Sequence, residues 1–99
     1  ETGKHYLSIA LQTAKNNAAY SYRNMAVYHQ KRGEAEKARV FFLKAFENIT
    51  IPVDWLEYLY ARFLFEQGET GEALVYLNIA VERGEPLAIK WMNDMKGIR

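Results

Sequence analysis

Two segments decide the fold: GEAEKARVFFLKAF at residues 33–46 and GETGEALVYLNIAV at residues 68–81. Each begins with glycine and glutamate and then places two alanines at the same distances from that glycine. Over the longer windows 26–47 and 61–82, seven of the 22 aligned pairs are identical at an offset of 35 residues. A fixed period of this length is the signature of repeated supersecondary units. The sequence therefore predicts a tandem repeat.

Each repeat predicts two helices. The first helices lie in YSYRNMAVYHQKRG at 20–33 and in DWLEYLYARFLFEQG at 54–68, where apolar residues recur at steps of three and four. Both segments stop at glycine, the residue that commonly ends a helix. The second helices carry a matching apolar stripe, which consists of Ala38, Phe42 and Ala45 in one repeat and Ala73, Leu77 and Ala80 in the next. Because small residues allow a short distance between helix axes, we expect Ala26 and Ala61 to face these stripes.

The predicted architecture is all-α, an α-solenoid of stacked antiparallel helical hairpins. About six helices are expected, near residues 4–16, 19–32, 34–48, 53–67, 70–83 and 86–96. The repeat divides the chain into a half unit at 1–18, full units at 19–53 and 54–88, and the end of a capping helix at 89–99. Because the array starts and ends on incomplete units, we expect it to belong to a longer protein.

Local signals refine these helices. Pro52 and Pro86 mark predicted helix starts, and Asp54 with Glu57 forms a predicted capping box. The 35-residue register also predicts that Ala10, Ala45 and Ala80 occupy equivalent buried positions.

In each unit, a small residue on the first helix is followed by a glycine turn and then by alanine, a large residue and alanine on the second helix. This order resembles the tetratricopeptide repeat. The resemblance covers nearly the whole chain, and it implies an α-solenoid whose first helices line a concave groove. The sequence departs from the family at His29, where the family prefers tyrosine, and at Glu57, where it prefers a large apolar residue. The period is also 35 rather than 34. The stretch AVERGEPLA, residues 80–88, is closer to the related Sel-one-like repeats.

Composition narrows the classes of function. Apolar residues make up 49% of the 99 residues and the net charge is +1, so no overall field attracts nucleic acid or an anionic membrane. Apolar runs are too short for a membrane span. The absence of cysteine excludes disulfides and thiolate chemistry. The compartment stays open, with the cytoplasm as the default and the periplasm or secretion as alternatives.

The sequence predicts no catalytic site, metal site or cofactor. His5 and His29 have no second histidine or carboxylate at ligand spacing, and His29 fits a partly buried core position. Asp54 and Glu57 fit capping better than acid–base chemistry. The basic tip at 29–33 fits a solvated turn, and one sequon at Asn48 is close to chance.

A binding surface is predicted on the first helices, on the side away from the packing stripe. Its residues are Tyr20, Arg23, Asn24, Val27, Trp55, Tyr58, Arg62 and Phe65. Lys90 and Asn93 would extend it. Aromatic residues with arginine are enriched at binding hot spots, although these rings could instead pack against a neighbouring unit. Some family members grip a carboxylate terminus with lysine, asparagine and arginine, but only Asn24 matches such a place.

The expected function is a protein-interaction module that binds a peptide or helical segment with acidic and apolar side chains. Nucleic-acid binding and membrane insertion are not expected. The alternative is a self-associating scaffold or homodimer, since Trp91, Met92 and Met95, with Ile98, are more apolar than a free terminal helix needs.

Overall fold

The computed structural model describes residues 2–51 and 53–97, with side chains over 14–51 and 53–95. Over these residues the chain forms five helices and no strand. The helices are α1 (Thr2–Lys31), α2 (Ala35–Glu47), α3 (Leu56–Glu66), α4 (Thr70–Glu82) and α5 (Pro86–Gly97). The chain divides into two compact units, Glu1–Val53 and Asp54–Arg99, hereafter the first and second units. Helix α2 packs on α1 in the first unit, and α4 packs on α3 and α5 in the second.

One predicted boundary is wrong, because the expected helices at 4–16 and 19–32 are a single helix, α1. The sequence between them is Asn16-Asn17-Ala18-Ala19, which contains no glycine or proline. Alanine has the highest helix propensity, and asparagine lowers helix stability only by a fraction of a kcal/mol. In the next repeat, Pro52 is the residue equivalent to Asn17. The 35-residue register therefore predicts a helix break near Asn17, but the sequence there contains no helix-breaking residue.

Asn16 helps to close the first unit. Its side chain is buried on α1. Its Oδ1 atom accepts a hydrogen bond of 3.4 Å from the backbone N–H of Ile51, in the segment after α2. A buried amide needs such a partner, so this bond ties the end of the first unit to its long helix.

The turns between helices follow the predicted glycine signal. Gly33 and Gly68 have φ values of 78° and 81°, in the left-handed region that only glycine enters at little cost. The next residue in each turn donates its N–H to a carbonyl five residues earlier, Glu34 to His29 and Glu69 to Leu64, both at 2.9 Å. This pattern is a Schellman motif. The predicted glycine helix ends are therefore confirmed.

Burial repeats with the sequence register. The members of each aligned pair are fully buried: Ala26 and Ala61, Ala38 and Ala73, Phe42 and Leu77, Ala45 and Ala80. The predicted burial of Ala45 and Ala80 is confirmed, whereas the side chain of Ala10 lies outside the described residues. The shared period therefore corresponds to one packing pattern used in both units.

The start of α3 differs from the prediction. Helix α3 begins at Leu56 after Trp55, without a hydrogen bond from a capping side chain, so the predicted capping box is wrong. Asp54 and Glu57 instead pair with the guanidinium of Arg83, which follows α4. Pro52 lies outside the described residues, and Pro86 begins α5 as predicted.

We predict opposite effects for two glycine substitutions in the second unit. Gly68→Ala should destabilise the fold by about 1–2 kcal/mol, because alanine is strained at positive φ, although its Cβ would meet no atom. Gly71→Ala is the matched control: it lies inside α4 with equal space, and it should stabilise by about 0.5–1 kcal/mol. Urea unfolding measures both. Equal changes for the two variants would contradict the assigned turn.

A second prediction concerns the buried alanines. Ala38→Leu or Ala61→Leu should each lower the free energy of unfolding by about 1–3 kcal/mol, because a larger side chain has no room at either fully buried site. Ala14→Leu, at an exposed position of α1, is the control and should be close to neutral. Denaturant titration of the three variants checks this. Unchanged stability in Ala38→Leu and Ala61→Leu would remove the argument for close helix packing.

Candidate functional site

A cleft in the second unit brings together several predicted binding residues. It has a volume of about 320 Å³ and lies between α3 and α5. Its walls are formed by Tyr58, Arg62, Phe65 and Glu66 of α3 and by Leu87, Lys90, Trp91 and Asp94 of α5. Four binding residues were predicted on α3 or at its start, and three of them, Tyr58, Arg62 and Phe65, line this cleft together with Lys90. Trp55 and Asn93 do not line it.

Tyr58 forms a buried wall of the cleft rather than an open anchor. Only 7% of its surface is exposed. Its ring meets Trp55 and Trp91 edge to face, with centroids 5.8 and 6.0 Å apart. Its hydroxyl accepts a hydrogen bond of 3.0 Å from Nη1 of Arg62. Little of the Tyr58 ring is therefore available to a partner, because Trp55 and Trp91 lie against it.

The open apolar surface of the cleft is formed by Phe65 and Leu87, which are 38% and 51% exposed. The ring of Phe65 lies against Trp91 with centroids 5.4 Å apart. Leu87 is the second residue of α5. Leu87 was missed from the sequence, because its position in the cleft depends on how α5 packs. The cleft thus offers apolar side chains to solvent beside two cations and two anions.

The residues predicted for self-association are already packed. Trp91, Met92 and Met95 lie against the buried cluster of the second unit, which consists of Tyr58, Ala61, Leu77, Ala80 and Ala88. Their apolar character is therefore explained by contacts inside the unit. Ile98 lies outside the described residues.

The other predicted residues lie on α1 in the first unit. Nη2 of Arg23 donates to Oδ1 of Asn24 at 3.0 Å, and the guanidinium lies 5.0 Å from the centre of the Tyr20 ring. Val27 is half-buried on the same helix. These contacts group Tyr20, Arg23 and Asn24 on the surface of α1.

Glu85 is a buried group that the sequence analysis did not single out. Its Oε2 atom accepts a hydrogen bond of 2.6 Å from the backbone N–H of Trp55. Its Oε1 atom is also buried, and it has no hydrogen-bond partner within the described part of the chain. Trp55 has a φ of 67°, a conformation that is costly for a bulky residue. The carboxylate therefore holds a strained residue whose ring supports Tyr58.

A related glutamate in the first unit has a different side-chain role. Glu34 follows Gly33 as Glu85 follows Gly84, but its carboxylate meets Nδ1 of His29 at 2.9 Å and Nε of Arg32 at 3.2 Å. The hydrogen bond with His29, followed by the nearby cations, lowers the pKa of Glu34 even though partial desolvation opposes the shift. His29 stacks on Phe41 with centroids 5.2 Å apart. It is a partly buried packing residue, as predicted.

The described residues contain neither a metal-binding cluster nor a membrane-spanning helix. No group of three histidine, cysteine or acidic side chains could hold a metal ion. No described helix combines the length and the apolar character needed to cross a bilayer.

No family model, curated protein or solved structure matches the chain. The resemblance to tetratricopeptide repeats therefore stays a prediction made from the residues.

We predict that Glu85→Ala destabilises the second unit by about 1.5–3 kcal/mol, because it removes a charged acceptor from the Trp55 N–H. Glu85→Gln keeps an acceptor oxygen at the same place and should therefore lose clearly less stability than Glu85→Ala. Chemical unfolding followed by tryptophan fluorescence measures both. Wild-type stability in Glu85→Ala would contradict the anchoring role.

A further prediction follows from the lowered pKa of Glu34. A carboxyl whose pKa is lower in the folded state stabilises that state at neutral pH, and the contribution is lost as pH falls through the lowered pKa. Wild type should therefore exceed Glu34→Gln in stability at pH 7, and the difference should shrink below about pH 4. Unfolding titrations across this range test it. A constant difference between wild type and Glu34→Gln across this pH range would contradict the prediction.

Proposed function

We propose that the chain forms a tetratricopeptide-like α-solenoid and that it binds a peptide or helical segment of a partner protein. The observation that carries the proposal is the cleft between α3 and α5, where Phe65 and Leu87 stay exposed beside Arg62 and Lys90. Aromatic residues and arginine are the side chains most enriched among binding hot spots.

The cleft is large enough to take side chains of a docked segment. Its volume of about 320 Å³ lies at the low end of the roughly 300–1,000 Å³ range of ligand pockets. The space suits a few apolar side chains of a docked segment. Charged residues from both helices surround it, which is the usual arrangement of an apolar interface centre with a polar rim.

The rigid wall of the cleft favours tight binding. Tyr58 is fixed by Trp55, Trp91 and the hydrogen bond from Arg62. Side chains that are already ordered lose little conformational entropy when a partner binds. Tyr58 and Trp91 would therefore act as a preformed wall, while Phe65 and Leu87 make the apolar contact.

On α1, we propose that Tyr20, Arg23, Asn24 and Val27 form a second surface that contacts a partner. Arg23 is the residue best placed to bind a partner there, because its guanidinium is already oriented by Asn24 and Tyr20. The alternative of self-association through Trp91, Met92 and Met95 is disfavoured, since these side chains contact their own unit.

The proposal predicts that the same substitution has different effects on peptide affinity at two exposed aliphatic residues of α5. Leu87 lines the cleft, whereas Ile89 is 38% exposed but does not. An array of synthetic peptides of about 15 residues, or four helical turns, would identify ligands whose dissociation constants are then measured in solution. Leu87→Asp should weaken these ligands about tenfold or more, which corresponds to about 1.4 kcal/mol. Ile89→Asp should leave affinity within about twofold, as expected for a surface change outside the interface.

Both substitutions are at exposed sites, so thermal unfolding should show that both variants remain folded. Equal loss of affinity in the two variants, or loss only in Ile89→Asp, would contradict the assignment of the cleft. The absence of any peptide ligand would contradict the proposed function.

A further inference from the structure

The charged residues of the cleft form two matched pairs. Arg62 precedes Glu66 by four residues on α3, and Lys90 precedes Asp94 by four residues on α5. All four residues line the cleft. Each helix therefore presents a cation and then, one helical turn later, an anion.

The two pairs lie in register. Helices α3 and α5 each join α4 through a tight glycine turn and pack on it, so they run in the same direction. The ring of Trp91 meets both Tyr58 and Phe65, which places it level with the centre of α3, near Arg62. This alignment puts Lys90 at about the level of Arg62 along the cleft, and Asp94 at about the level of Glu66. Along the cleft, a positive zone is followed by a negative zone about 6 Å further on, the rise of four helical residues.

Helix stability does not account for this arrangement. An acidic residue four positions before a basic residue stabilises a helix more than the reverse order does. Both pairs have the reverse order. Glu66 is also the last residue of α3, and Asp94 is in the last turn of α5. Negative charge at these ends is unfavourable, because the helix carbonyls already make them negative. Two helices thus share a charge order that stabilises them less than the reverse order would.

The charges remain accessible to a partner. Lys90 and Asp94 are exposed and form no ion pair with another described residue. Arg62 uses Nη1 for the Tyr58 hydroxyl, and a guanidinium has five N–H donors. Glu66 also interacts within the chain, so Asp94 is the better anion for an experiment.

We infer that the partner segment is dipolar, with one acidic and one basic side chain about 6 Å apart on the side that faces the cleft, beside an apolar side chain. This inference rests on the proposed function and refines the partner with acidic and apolar side chains that is expected from the sequence. The spacing corresponds to four residues in a helical segment or to two residues in an extended one. The order of the two charges is free, since a segment can lie in either direction.

The test uses four sets of synthetic peptides that share the same apolar residues and differ at two positions, four residues apart. The positions carry glutamate and lysine, two glutamates, two lysines or two glutamines. Dissociation constants are measured at low and high salt for wild type, Lys90→Ala, Asp94→Ala and the control Asn93→Ala, an exposed residue of α5 outside the cleft. The dipolar set should bind best at low salt.

The variants should separate the two charges. Lys90→Ala should weaken peptides that contain glutamate by about two- to fivefold, the range of exposed ion pairs, and leave the lysine-only set unchanged or stronger. Asp94→Ala should show the opposite pattern, and Asn93→Ala should change neither. Salt should reduce each effect.

The outcomes distinguish this inference from the proposed function. If the glutamine or two-glutamate peptides bind as tightly as the dipolar set, and Leu87→Asp abolishes their binding, the dipolar partner is refuted while the binding cleft stands. If no set binds, or if Leu87→Asp has no effect on binding, both the cleft and the dipolar partner are refuted.

Discussion

The left-handed glycine followed by glutamate is the constraint on which the rest of the structure depends. It occurs at Gly33, Gly68 and Gly84, with φ values of 78° to 81°. In each turn the N–H of the glutamate closes the preceding helix, and its carbonyl accepts the first hydrogen bond of the next helix. One dipeptide thus ends one helix and starts another, and the tight reversal lets the alanine stripes face the helices on which they pack.

The three turns share a backbone but not a side-chain role. The carboxylate of Glu34 stays in its own turn with His29 and Arg32. The carboxylate of Glu85 instead reaches the residue before α3, where it binds the N–H of Trp55. Because Trp55 supports Tyr58, the third turn connects the fold of the second unit to the wall of its cleft. The repeated glycine–glutamate turn thus has an additional role in the second unit, where it supports the wall of the cleft.

What the sequence could predict is what local chemistry determines. The glycine turns and the buried alanines follow from residue type and period, and both are found. The repeat register predicts a break near Asn16, but the helix is continuous there because the sequence contains no helix breaker. The burial of Tyr58 and the bond from Glu85 to Trp55 depend on where α5 packs, over separations of about 30 residues. No pattern within a single helix contains that information.

The most direct test of the binding cleft is a two-dimensional ¹H–¹⁵N NMR titration, because the chain has only two tryptophan indole signals. The titrant is a synthetic peptide with leucine beside a glutamate and a lysine four positions apart, the spacing of one helical turn. Trp91 lines the cleft and Trp55 does not. We predict saturable shifts of the Trp91 indole and of the Phe65 and Leu87 amides, with a smaller shift of the Trp55 indole. Shifts confined to residues outside α3 and α5, or no shifts at saturating peptide, would contradict it.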